Sequence, residues 1–95
     1  MSERVMIGEA SVPRLPRGVR LRFDEARQKW IVLAPERVLV PDDIALEILK
    51  LVDGTASVSA IADALAARYQ APRGEVGADV TQLLQDLADK GMVAA

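Results

Sequence analysis

The sequence predicts an α+β domain resembling a winged helix, a three-stranded antiparallel sheet followed by three helices, and three observations carry that prediction. The apolar pattern has period 2 up to Val40 and period 3.6 from Pro41 onward. The polar breaks Asp24–Gln28 and Ala34–Arg37 are too short for anything but hairpins, so the strands are antiparallel neighbours. Ninety-five residues, 51% of them hydrophobic, supply one core between two packed layers and leave no room for a second domain.

Residues 1–12 carry no period, and Pro13 and Pro16 favour extended backbone on either side of Leu15, so this stretch is expected to be a flexible N-terminal arm ahead of a single domain over 13–95. Val19, Leu21 and Phe23 alternate with Arg20 and Arg22, which gives a half-buried strand over about 19–23. Trp30 to Leu33 are apolar at consecutive positions, the pattern of a central strand covered on both faces, placed at about 29–33. Trp30 is the largest apolar side chain available for burial. Val38-Leu39-Val40 is a short third strand, and hairpin connectivity leaves it on an edge of the sheet.

Asp42 or Asp43 caps a first helix over about 42–52, with Ile44, Ile48, Leu51 and Val52 as its core stripe and Gly54 as its stop. Ser57 caps a second helix over about 58–70, where Val58, Ile61, Ala62, Leu65 and Tyr69 recur at helical spacing. After Ala71-Pro72-Arg73-Gly74 a third helix runs over about 75–90 to Gly91. Its apolar arc joins Val76, Val80, Leu83 and Leu87 to Gly77, Leu84 and Ala88, wider than one helix of a small domain needs for its own core. Gly77 costs helix stability, which is tolerable where another backbone comes close. Met92 and Val93 form a short extended tail.

Composition excludes whole classes of chemistry. There is no cysteine and no histidine, so thiol nucleophiles, disulfides, imidazole acid–base catalysis and the usual zinc ligands are absent. The serines lack a basic partner, the glycines match no phosphate-binding spacing, and Asp42-Asp43 is a capping pair rather than a cation site, so neither an enzyme, a cofactor nor a metal is expected. No apolar run approaches the roughly 20 residues that span a bilayer, and the first twelve residues lack a secretory core, so a cytoplasmic protein that does not enter membranes is expected.

The charge is uneven. Residues 1–40 hold eight Lys or Arg against five Asp or Glu, and residues 41–95 hold four against nine. The helix-turn-helix arrangement makes a winged-helix DNA-binding protein the alternative reading, but Asp63, Glu75, Asp79, Asp86 and Asp89 on the second and third helices would repel phosphates, so no nucleic-acid partner is expected.

Four segments carry a resemblance: Pro13-Arg14-Leu15-Pro16-Arg17-Gly18-Val19-Arg20-Leu21, Leu33-Ala34-Pro35-Glu36-Arg37-Val38-Leu39, Ile48-Leu49-Lys50-Leu51-Val52-Asp53-Gly54, and Asp79-Val80 through Leu87. Together they resemble the coenzyme PQQ synthesis protein D family from Pro13 to Val93, with the Ala-Pro-Glu-Arg turn as the most specific piece. The resemblance implies a non-catalytic peptide chaperone of pyrroloquinoline quinone biosynthesis, a recognition element that binds the ribosomal precursor peptide PqqA and presents it to a radical S-adenosylmethionine enzyme, PqqE. It also implies that the peptide adds as a strand beside the third strand and lies on the third helix. The residues reach the same two places by themselves, because the third strand is a free edge and the third helix is over-wide in apolar surface. The expected peptide site is therefore Val38, Leu39, Val40, Gly77, Val80, Thr81 and Leu84. Arg14, Arg17, Arg20 and Arg22 are the candidates for partner contact, and a free edge also allows a homodimer.

Overall fold

The computed structural model describes residues 4–95. Strands β1 (Arg20–Asp24), β2 (Lys29–Ala34) and β3 (Arg37–Leu39) form one antiparallel sheet in the order β1-β2-β3; helices α1 (Asp43–Leu49), α2 (Val58–Tyr69) and α3 (Arg73–Asp89) follow. Register is set by the two hairpins. Leu21 stands opposite Val32 and Val32 opposite Leu39, so these three share the face turned to the helices. Arg22 opposite Ile31, and Arg20 and Val38 both opposite Leu33, share the other face.

The core is built from Val19 and Val32 of the sheet region, Ile48 and Leu49 of α1, Val58, Ile61, Ala62 and Leu65 of α2, and Val80, Leu84 and Leu87 of α3. Ile31 and Val32 are both buried although they point to opposite faces, yet only Val32 joins that core. Trp30 is half-buried. Its ring meets Phe23 edge-on at 5.7 Å, and Lys50 Nζ lies 5.2 Å from its centroid, a cation–π contact.

Helix ends follow the sequence closely where a side chain is the cap. Asp42 Oδ1 accepts from Ala45 N at 2.8 Å, and Ser57 Oγ accepts from Ala60 N at 3.0 Å. At the far end of α3, Gly91 has φ +77°; its N–H donates to Ala88 O and that of Met92 to Leu87 O, the paired bonds of a Schellman stop. The tail is then tied back by reciprocal main-chain bonds between Arg14 and Ala94, both 2.8 Å.

Three expectations change. The first helix stops at Leu49 and continues as tight i+3 turns, Leu51 N to Ile48 O and Val52 N to Leu49 O, so Gly54 is not its stop. Gly54 sits instead in a loop organised by Asp53, whose Oδ1 accepts from Thr55 N, Thr55 Oγ1 and Ala56 N. Those bonds, the one from Ala56 foremost, hold the Asp53 carboxyl below its ordinary pKa.

The α1 core stripe is also rotated. Ala45, Ile48, Leu49 and Val52 face inward, and Ile44 is 70% exposed. A seven-residue helix with apolar side chains nearly all round has several ways to face the core, so periodicity alone does not choose among them.

The third change concerns the N-terminus. Residues 4–12, expected to be free, lie across α2 and α3 with Ile7 buried, while Met1 to Glu3 lie outside the described residues. The arm supplies acceptors for two N–H groups in the first turn of α2: Val58 N donates to Ser11 O and Ser59 N to Glu9 O. Gln85 holds the arm from α3, its Oε1 accepting from Ile7 N and its Nε2 donating to Val5 O, both at 2.8 Å. No helix among the described residues is long and apolar enough to cross a membrane.

Candidate functional site

β3 is a true edge. The two-residue loop Pro35-Glu36 makes Ala34 and Arg37 the closing pair of the hairpin, which in so tight a turn is a bonded pair, and bonded and unbonded pairs alternate from there along an antiparallel ladder. Leu39 therefore bonds Val32, and the N–H and C=O of Val38 point away from the sheet. Val38 and Val40 are half exposed, whereas the Leu39 side chain packs against the core.

Three residues, Val40 to Asp42, separate Leu39 from the first residue of α1, four Cα steps with a reach of at most about 14 Å. α1 in turn forms one wall of a cleft between α1, the end of α2 and α3. The cleft has a volume of about 610 Å³, an apolar lining that includes Ile44, Ile48, Leu65, Tyr69, Val76 and Val80, and the carboxylates Asp43, Glu47 and Asp79 at its rim. Two of the large apolar residues on this wall remain exposed, Ile44 at 70% and Tyr69 at 56%. Exposed apolar groups that are contiguous and rimmed by charge mark a binding surface rather than ordinary scatter.

The residues expected to bind peptide separate in the structure. Val38 and Val40 lie along the edge stretch, and Val80 forms part of the cleft wall. Thr81 is half-buried and Leu84 lies wholly within the core. Gly77 turns to the arm: a Cβ there would collide with the Arg73 guanidinium and come within 3.4 Å of Glu9 Oε2. The group brought close to Gly77 is thus a side-chain ion cluster, in which Arg73 is paired with both Glu9 and Asp63. Sequence reasoning missed Ile44, Tyr69 and Val76. The signal for Val76 is the over-wide apolar arc of α3, whereas Ile44 and Tyr69 stand at core spacing on α1 and α2.

The four arginines separate too. Arg20 and Arg22 project from the outer sheet face beside Leu33 and Ile31, with a depression of about 500 Å³ lined by Arg22, Phe23, Ile31 and Leu33. Arg14 is at the bridge to Ala94 and Arg17 in the turn before β1. No three acidic, His or Cys side chains converge as a cation site among the described residues.

Residues 29–93 match the family described as coenzyme PQQ synthesis protein D. A PqqA binding protein of Rhodopseudomonas palustris (strain BisB5) is 62% identical over 92 residues, covering 97% of this chain and 90% of that one. The solution structure of the PqqD part of Methylobacterium extorquens PqqCD superposes with TM-score 0.79 at 48% identity, over 94% of this chain and 95% of that one. It is described as a functional, stand-alone recognition element for ribosomally synthesized and post-translationally modified peptides. Lasso peptide synthetase B1, solved with its leader peptide, shares the fold, with TM-score 0.75 over 90% of this chain and all of that one, at only 18% identity. The chain thus shares its fold with both solved structures and much of its sequence with the first two proteins, and it belongs to the coenzyme PQQ synthesis protein D family.

Proposed function

We propose that the protein is a non-catalytic recognition chaperone: it binds the precursor peptide PqqA as a fourth strand on the outer edge of β3 and presents it to the radical S-adenosylmethionine enzyme PqqE. The observation that carries this is the free edge at Val38 a few residues ahead of α1, the helix that forms one wall of the open cleft. Main-chain bonds to Val38 supply affinity without regard to sequence, and an apolar side chain seated in the cleft supplies register. Val40 extends the track, Leu39 holds the strand to the core, and Val80 closes the cleft wall. Thr81 and Leu84 contribute through the integrity of α3, and Gly77 by leaving room for Arg73 and Glu9 beside the arm.

Any chemistry on the peptide belongs to the partner. Arg20 and Arg22, exposed around Leu33 on the outer sheet face, are the groups that meet it, because a fourth strand leaves that face open. A peptide made by ribosomes places the encounter in the cytoplasm. Self-pairing of β3 edges into a homodimer competes for the same groups, so peptide and dimer exclude each other.

The test replaces Val38 with Pro. This removes the outward N–H and no ladder bond, so PqqA affinity is expected to fall about tenfold with little loss of thermal stability, while Leu39→Pro disrupts the hairpin. Parental affinity in a folded Val38→Pro protein would rule out pairing at this edge.

A further inference from the structure

The rim of the cleft differs from its walls. Asp43 and Glu47 stand on α1 and Asp79 on α3, so carboxylates face the opening from both lips. Glu47 is already neutralised by Arg68, whose Nη1 lies 2.6 Å from Glu47 Oε2 and whose guanidinium stacks 5.3 Å from the Tyr69 ring. That cation is held in place by two partners and none of the lining residues is basic. Asp43 and Asp79 are exposed and take part in no hydrogen bond or ion pair found among the described residues. The side-chain cap of α1 is Asp42, which accepts from Ala45 N, so the Asp43 carboxylate is not engaged there.

We infer that the cleft selects a peptide segment in which an apolar side chain adjoins a Lys or Arg, the apolar group seated between Ile44 and Val76 and the cation held by Asp43 and Asp79. This rests on the peptide reading given above and adds the chemistry that the peptide must carry. An apolar pocket alone accepts many side chains of similar size; a carboxylate on each lip rejects an acidic neighbour and favours a basic one. The pairing is solvent-exposed, so its effect on affinity is modest and salt-sensitive, and it acts by choosing the register.

The experiment is a positional charge scan. Each residue of fluorescently labelled PqqA is replaced in turn by Lys and by Glu, and affinities are measured for the unaltered protein and for Asp43→Asn/Asp79→Asn. One position, or two neighbouring ones, should bind about threefold to tenfold tighter as Lys than as Glu, and the gap should shrink below about twofold in the double variant. In the unaltered protein the same gap should collapse near 0.5 M salt, a readout that holds even if the double variant does not fold. Ile44→Ala, which keeps both carboxylates, should weaken the Lys and Glu peptides by the same factor. The inference is overturned if parental PqqA binds but no position prefers Lys, or if the preference survives in a folded double variant. Failure of every peptide to bind the unaltered protein would instead remove the peptide reading itself, and this inference with it.

Discussion

The two long sides of α3 are built oppositely. On the arm side polar groups are paired: Gln85 clasps the backbone of Val5 and Ile7, Arg4 makes two bonds to Asp89 at 2.9 and 2.8 Å, and Arg73 bridges Glu9 and Asp63. On the cleft side Asp79 is unpaired and Val76 faces open space, across from an Ile44 that no core contact requires. One side already holds a segment of irregular chain, residues 4–12. The other is the wall of the apolar cleft that α1 and the end of α2 complete. A surface whose polar groups are satisfied reports on folding, and one left apolar and unpaired reports on binding.

That contrast is open to disruption in graded steps. The largest effect should come from Leu84→Ala, since this side chain is wholly buried between the two sides; a loss of about 2–5 kcal/mol in denaturant unfolding is expected. Gln85→Ala should cost about 1–3 kcal/mol, because the buried Ile7 N–H loses its acceptor, and the Ile7 amide should then exchange much faster. Ile44→Ala, on the other side, should change stability by less than about 0.5 kcal/mol while clearly weakening PqqA binding. A large stability loss from Ile44→Ala would mean that the cleft wall is core after all.

The smallest effect is electrostatic. Asp89 is held below the ordinary carboxylate pKa, first by its hydrogen bond from Arg4 and then by that from Gln85. A lowered folded pKa stabilises the fold above the unfolded value of about 3.9 and loses that contribution as pH falls through the folded value. Stability should therefore decline on acidification below about pH 4, and Asp89→Asn should flatten part of the decline. A carboxyl NMR titration that gave Asp89 an unshifted midpoint would show the arm to be unpinned in solution.

Local chemistry was legible in the sequence and long-range chemistry was not. Asp42 and Ser57 announce themselves as caps because the group they satisfy lies three residues away. The period-2 alternation and the short turns fix the strand order, and with it the edge at Val38. Nothing in the composition of residues 4–12 reveals that Gln85, 78 residues beyond Ile7, receives them. Gly77 signals a close approach without saying whose, and the answer is Arg73 with Glu9. Ile44 and Tyr69 carry the periodicity of core residues; only the rotation of α1 and the left-handed turn at Gln70 that ends α2 leave them outside.

The most direct measurement is hydrogen exchange at the Val38 amide, with and without PqqA. The N–H points away from the ladder, so it should exchange rapidly in the free protein and become strongly protected on saturation with peptide, while the already bonded Leu39 amide changes little. Saturating binding that leaves Val38 exchanging as fast as before, and protects other amides instead, would contradict strand addition at β3.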